Sequence, residues 1–135
     1  MPTLRLEFLP GLYAIHRLPP DTPLPPLPGP PAFTTVSRSA EELSVLCPSE
    51  MQLDSQQSMG GFVCLRVSGT LDFSLIGILA DLTQCLAQAS VSVFAVSTFD
   101  TDYLLVQADQ REAAIQALQD AGHTLDEPTS GPSSG

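Results

Sequence analysis

The alternation of apolar and polar positions separates an irregular first half from a regular second half. Thr3 to Leu9 (TLRLEFL) alternates as a half-buried strand does. Pro10-Gly11 marks a turn, and Leu12 to Leu18 (LYAIHRL) predicts a second strand. From Pro19 to Pro31, eight of thirteen residues are proline, so the stretch lacks the amide donors that helix or sheet requires. It is expected to be extended and polyproline-like. Phe33 to Ser37 and Leu43 to Cys47 predict short strands joined by a polar turn through Ser39-Ala40-Glu41. Pro48 to Gly61, with Gln56, Gln57, Gly60 and Gly61, reads as a polar loop and a boundary.

Beyond that loop the periods are clear. Phe62 to Val67 (FVCLRV) is a nearly continuous apolar run, as in a central strand. Gly69 to Ser74 leads into a helix predicted from about Leu75 to Ala89. Leu75, Ile78, Leu79, Leu82, Cys85 and Leu86 share one face of it, while Asp81, Gln84 and Gln88 share the other. Val91 to Thr98 and Tyr103 to Gln107 predict strands joined by the turn Phe99-Asp100-Thr101-Asp102. Asp109 and Glu112 have the spacing of a capping box for a second helix, and Gly122 suits its C′ position. His123-Thr124-Leu125 closes the chain as a short strand. The order from Phe62 is βαββαβ, the ferredoxin-like arrangement, so the expected class is α+β.

Composition narrows the partners. Five basic and fifteen acidic residues give a net charge of −10, a balance that repels phosphate and disfavours nucleic acid and anionic membrane. No apolar run approaches the roughly 20 residues of a spanning helix. Three cysteines without a CxxC pair argue against a disulfide framework or a zinc knuckle. The expectation is a cytoplasmic protein with reduced thiols. The last six residues, Ser130 to Gly135 (SGPSSG), read as a scar of expression and stand outside the fold.

Catalysis finds little support in these residues. His16 and His123 are the two histidines, neither in a context that suggests a triad. Cys47, Cys64 and Cys85 fall at core positions, where a thiol behaves as a small hydrophobe. Walker, GxGxxG and HExxH patterns are absent. The Asp100-x-Asp102 spacing resembles metal-binding motifs, but no third carboxylate or histidine stands nearby in sequence, so no metal is expected. Pro23 to Pro28 (PLPPLP) serves as a stiff connector, or as a polyproline ligand for an SH3-like domain.

The segments Gly69–Ile78 (GTLDFSLIGI), Phe94–Val106 (FAVSTFDTDYLLV) and Ala113–Gly122 (AAIQALQDAG) together resemble an ACT domain, the amino-acid-sensing module of many biosynthetic enzymes. The chain is similar to bacterial stand-alone ACT proteins related to aspartokinase regulatory regions, and to the cytosolic arginine sensors of animals. Leu75 stands where those sensors carry an acid. Arg17–Asp21 (RLPPD) and Phe33–Pro48 extend the likeness through the first half. The resemblance implies a degenerate ACT-like unit over residues 1–60 and an ACT domain over 61–127. It implies a non-catalytic regulatory protein that binds a free amino acid, without cofactor, as a homodimer. The alternative is a structural or oligomerisation module that pairs with a partner protein without ligand.

The candidate ligand groove follows from both lines. Amides at the start of the long helix, near Asp72, Phe73, Ser74, Gly77 and Ile78, favour a carboxylate. Asp72 or Ser74 is equally suited to capping the helix, and Gly77 to easing packing within it. Thr98, Phe99, Asp100 and Asp102 surround the hairpin turn, which in ACT families borders the effector groove. Asp102 would pair with an ammonium, as a partly desolvated carboxylate does. As turn residues, Asp and Thr also have an ordinary structural reading.

Overall fold

Strands form in each stretch where the sequence pattern predicts one, with shifted ends, and they pair out of their order in the chain. The computed structural model describes residues 3–68 and 77–127. Along it run β1 (Arg5–Phe8), β2 (Tyr13–Leu18), β3 (Thr35–Arg38), β4 (Leu43–Pro48), β5 (Gln57–Val67), α1 (Ile78–Gln88), β6 (Phe94–Ser97), β7 (Asp102–Gln107), α2 (Arg111–Asp120) and β8 (Thr124–Asp126). The chain divides into two units, Met1–Pro10 with Val63–Gly135, and Gly11–Phe62.

The first unit is a mixed α+β fold with the element order βαββαβ from β5 onward. Its strand order is β6-β7-β5-β1-β8, so the chain's opening strand stands between the first and last strands of that series. β1 runs antiparallel to β5, with Leu6 opposite Val67 and Phe8 opposite Leu65. It runs parallel to β8, with Leu6 opposite Leu125. Leu6, Phe8, Val63, Leu65, Val67, Leu104 and Val106 bury one sheet face against Ile78, Leu82 and Leu86 of α1 and Ala114 and Leu118 of α2. The i, i+4, i+8 stripe of α1 is what fixes it there.

Both helices stop on the same device. The amides of Ser90 and Val91 donate to the carbonyls of Ala87 and Leu86, and those of Gly122 and His123 donate to Gln119 and Leu118. Each is a Schellman motif, which needs a left-handed residue at C′. Gly122 meets that need with φ 96, whereas Ser90 holds φ 62 with a side chain present.

Several strand ends shift by one to three residues, β6 for example starting at Phe94 rather than Val91, and three further boundaries differ from the sequence expectation for identifiable reasons. α1 begins at Ile78, because Gly77 lies in the left-handed region (φ 82, ψ 10) and stands before the helix rather than a turn inside it. α2 begins at Arg111 after a 3-10 turn, Ala108–Gln110, and no Asp109–Glu112 capping box forms. Its N-cap residue, Gln110, uses its side-chain amide to brace the end of α1, donating to Ser90 O (3.2 Å) and accepting from the Ser92 amide (3.3 Å). β5 starts five residues before the expected Phe62, inside the supposed loop. The ladder puts Tyr13 opposite Phe62 but Ile15 opposite Met59, so Gly60 and Gly61 together face Ala14. This is a β-bulge, made feasible by Gly61 at φ 79.

The second unit is built from strands alone among the described residues. β2 is antiparallel to β4 and to the Gln57–Phe62 part of β5, and β3 completes the sheet beside β4. Leu18, Leu43, Val45 and Cys47 form its apolar face, covered by Leu27 of the proline-rich stretch and by Met51 and Leu53. Pro19 to Pro31 forms neither helix nor strand. Arg38 holds the beginning of that stretch by donating to the carbonyls of Pro20 and Thr22.

Candidate functional site

The described part of the predicted groove is the β6–β7 hairpin and the start of α1. Ser97 and Asp102 are the last ladder pair of the hairpin, and the Ser97 hydroxyl donates to Asp102 Oδ1 at 2.6 Å. Asp102 alternates with Leu104 and Val106, so it lies on the sheet face that the helices cover. The turn is closed by the Thr98 amide donating to the Thr101 carbonyl at 2.8 Å. The Thr98 hydroxyl donates to the same carbonyl at 3.1 Å and accepts from the Thr101 amide at 3.3 Å. Phe99 and Asp100 project at the tip, with Phe99 85% exposed.

Thr101 was not singled out by its sequence context, yet it anchors this turn. Its buried hydroxyl donates to the Val67 carbonyl at 2.8 Å, tying the hairpin to the end of β5. A threonine between two aspartates looks like ordinary turn chemistry, and only the non-local pairing of β5 with β7 gives it a carbonyl to reach.

Gly77 is exposed, and among the described residues a Cβ built there would meet only Asp81 Oδ2, at 3.9 Å. The constraint at this position is the positive φ. With no side chain at the cap, the first-turn amides of α1 lack a side-chain acceptor from that position. Ile78, by contrast, points from α1 into the core and is buried there rather than bordering an open groove. Asp72, Phe73, Ser74 and Leu75 lie outside the described residues, as does the 130–135 tail. Asp81, assigned by period to the outer face of α1, is half-buried in a groove of about 530 Å³ between the helices, beside Cys85 and Asp120.

The groups suited to catalysis are engaged elsewhere. His16 is buried, with Nδ1 3.0 Å from Ser55 Oγ. Its Nε2 has no hydrogen-bond partner among the described residues, so no carboxylate orients the ring. His123 Nδ1 accepts the Leu4 amide at 3.0 Å, which places the proton of the neutral ring on Nε2. Burial lowers the pKa of both histidines, and Asp81 partly opposes the shift at His123. Burial raises all three thiols, Cys64 to about 12, which keeps them protonated and unreactive. Among the described residues no three His, Cys, Asp or Glu side chains cluster as metal ligands, and no helix is long and apolar enough to cross a membrane.

Residues 57–120 match the family model of the ACT domain. No curated protein matches the chain in sequence. Among solved structures, a protein from Agobacterium tumefaciens is similar with a TM-score of 0.88 and 29% identity, covering 98% of each chain. The aspartate kinase of Synechocystis is similar with a TM-score of 0.62 and 14% identity, over 96% of this chain and 28% of the kinase. The ligand-free regulatory subunit of aspartate kinase from Thermus thermophilus gives a TM-score of 0.59 and 10% identity, over 87% of this chain and 96% of the subunit. At these identities the likeness to the kinases is one of fold.

Proposed function

With residues 57–120 an ACT domain, we propose that this chain is a regulatory module that binds a free amino acid and changes its association with a partner in response. The observation that carries the reading is the Thr101–Val67 tether, which fixes a turn bearing Asp102 and Thr98 to the end of the strand leading toward α1. The Asp102 carboxylate accepts the ligand's ammonium beside the Ser97 hydroxyl. The ligand's carboxylate takes the first-turn amides of α1, the positive end of the helix dipole. Thr98, Phe99 and Asp100 border the opening. The buried, raised-pKa thiols and the histidine without an orienting acid support binding rather than turnover.

The Gly11–Phe62 unit belongs, in this reading, to a reduced second copy of the same module. The aspartate kinase structures support it, because they match 87% or more of this chain rather than the ACT segment alone. A cytoplasmic location accords with the metabolite proposed.

Screening the twenty amino acids for thermal stabilisation tests the function. An effector at 100 times its Kd should add about 2.7 kcal/mol. Asp102→Asn should weaken that binding at least tenfold, while Glu112→Gln, on an exposed acid of α2, should leave it unchanged. Absence of any stereospecific shift, or equal effects from both variants, removes the reading. Pairing without ligand is the second reading, favoured by β6. That strand bonds only to β7 among the described residues and carries neither charge nor proline to blunt its edge. A homodimer is expected under both readings, and a monomeric mass by light scattering at tens of micromolar would contradict it.

A further inference from the structure

The second unit carries a cavity unrelated to the hairpin. Its register is set by the pairs Arg17–Ser44, Arg17–Gln57 and Ile15–Met59. These five residues therefore share the sheet face opposite Leu18, Leu43, Val45 and Cys47. Together with Glu42 they line a depression of about 390 Å³, within the range of small-molecule sites. Its floor is apolar at Ile15 and Met59, the latter 58% exposed, and polar at Ser44 and Gln57. One side carries both signs of charge. Arg17 Nη1 lies 3.3 Å from Glu42 Oε1, with the two side chains 41% and 40% exposed. Arg17 Nη2 donates to the Glu41 carbonyl at 3.1 Å, which holds the guanidinium at the rim.

We propose that this depression is a second ligand site, specific for the zwitterion of an α-amino acid with an apolar side chain. Charge decides the class. A simple anion meets Glu42 and the field of a molecule of net charge −10, and a simple cation meets Arg17. A ligand whose carboxylate and ammonium sit side by side satisfies both at once. An ion pair this exposed contributes at most about 1 kcal/mol to stability, so opening it for a ligand costs little. The apolar floor accepts the side chain, while Ser44 and Gln57 offer hydrogen bonds along the row occupied by Arg17. The site lies wholly within Gly11–Phe62 and stands or falls independently of the hairpin groove.

Methyl-labelled methionine provides the test, because Met59 lines the depression whereas Met51 packs on the opposite face. L-Leucine titrated into the full chain should shift the Met59 methyl signal saturably and leave Met51 in place. Leucinamide, which lacks the carboxylate, and 4-methylpentanoate, which lacks the ammonium, should each need at least tenfold higher concentration. Arg17→Gln and Glu42→Gln should weaken leucine by the same factor, and the ligand analogues on the native chain keep the test valid if either variant fails to fold. An unmoved Met59 at tens of millimolar leucine overturns the proposal, as do analogues equal to leucine. If Asp102→Asn abolishes the Met59 shift and Arg17→Gln preserves it, the ligand belongs to the hairpin and this site does not exist.

Discussion

The two units face one problem, a sheet with an apolar face to bury, and cover it with different material. In the unit completed by Val63–Gly135, two helices lay Ile78, Leu82, Leu86, Ala114 and Leu118 over the strands. In Gly11–Phe62, a proline-rich stretch and a loop do the covering with Leu27, Met51 and Leu53, each only partly buried. Helices satisfy their own backbone and can turn a continuous stripe inward. The proline-rich stretch has few amides with which to pair its own carbonyls, Thr22 on Pro19 being one, and it is tied from outside by Arg38 on Pro20 and Thr22. The helix-covered sheet thus has the deeper core, and the loop-covered sheet should open at lower cost.

Core truncations should separate the units most strongly. Leu82→Ala, at a fully buried position of α1, should cost about 3 kcal/mol in denaturant titrations. Leu27→Ala, in the proline-rich cover, should cost about 1 kcal/mol and raise amide exchange in β4 before it does so in β7. Equal costs would mean that the two covers are equivalent.

Acid should act on both units, through one buried histidine each. Burial lowers the folded-state pKa of His16 and His123 below 6.5. The unfolded chain therefore takes up protons first as pH falls, so stability is full above about 6.5 and declines below it. His16→Gln and His123→Gln should each flatten part of the decline in melting temperature between neutral and mildly acidic pH. A melting temperature independent of pH in that window would contradict the assignment.

Smaller effects test the termini of α1. By helix propensity alone, Gly77→Ala would stabilise, but φ 82 reverses the sign. The substitution should cost about 1 kcal/mol although no described residue comes nearer than 3.9 Å to the new Cβ. At the other end, Ser90→Gly relieves a left-handed serine and should stabilise by about 0.5 kcal/mol, read as a small rise in melting temperature.

Local chemistry explains which features could be read from the chain. The α1 stripe, the strands and the Gly122 stop each depend on neighbours within a few positions, and all three are legible. The start of α2 is not legible in the chain, because the Asp109–Glu112 spacing is also compatible with a 3-10 turn and Gln110 is claimed by Ser90 and Ser92 across a loop. Gly60-Gly61 reads as loop because its bulge exists only opposite Ala14 of β2. In the β6–β7 hairpin, Asp102 and Thr98 stand out by type, whereas Thr101 acquires its tether only from β5.

The insertion of β1 between β5 and β8 has a kinetic side. Glu7 bonds to Arg66 across 59 positions and the Leu4 amide to His123 across 119, so β1 finds its partners only after long stretches of the following chain exist. On a ribosome, β1 emerges well before β5 and β8, while the nearer ladders within Gly11–Phe62 are already within reach. Closing such long loops before any contact rewards them slows folding. The last event in refolding should therefore be the docking of β1, with β8 beside it, into a sheet whose other strands have already paired.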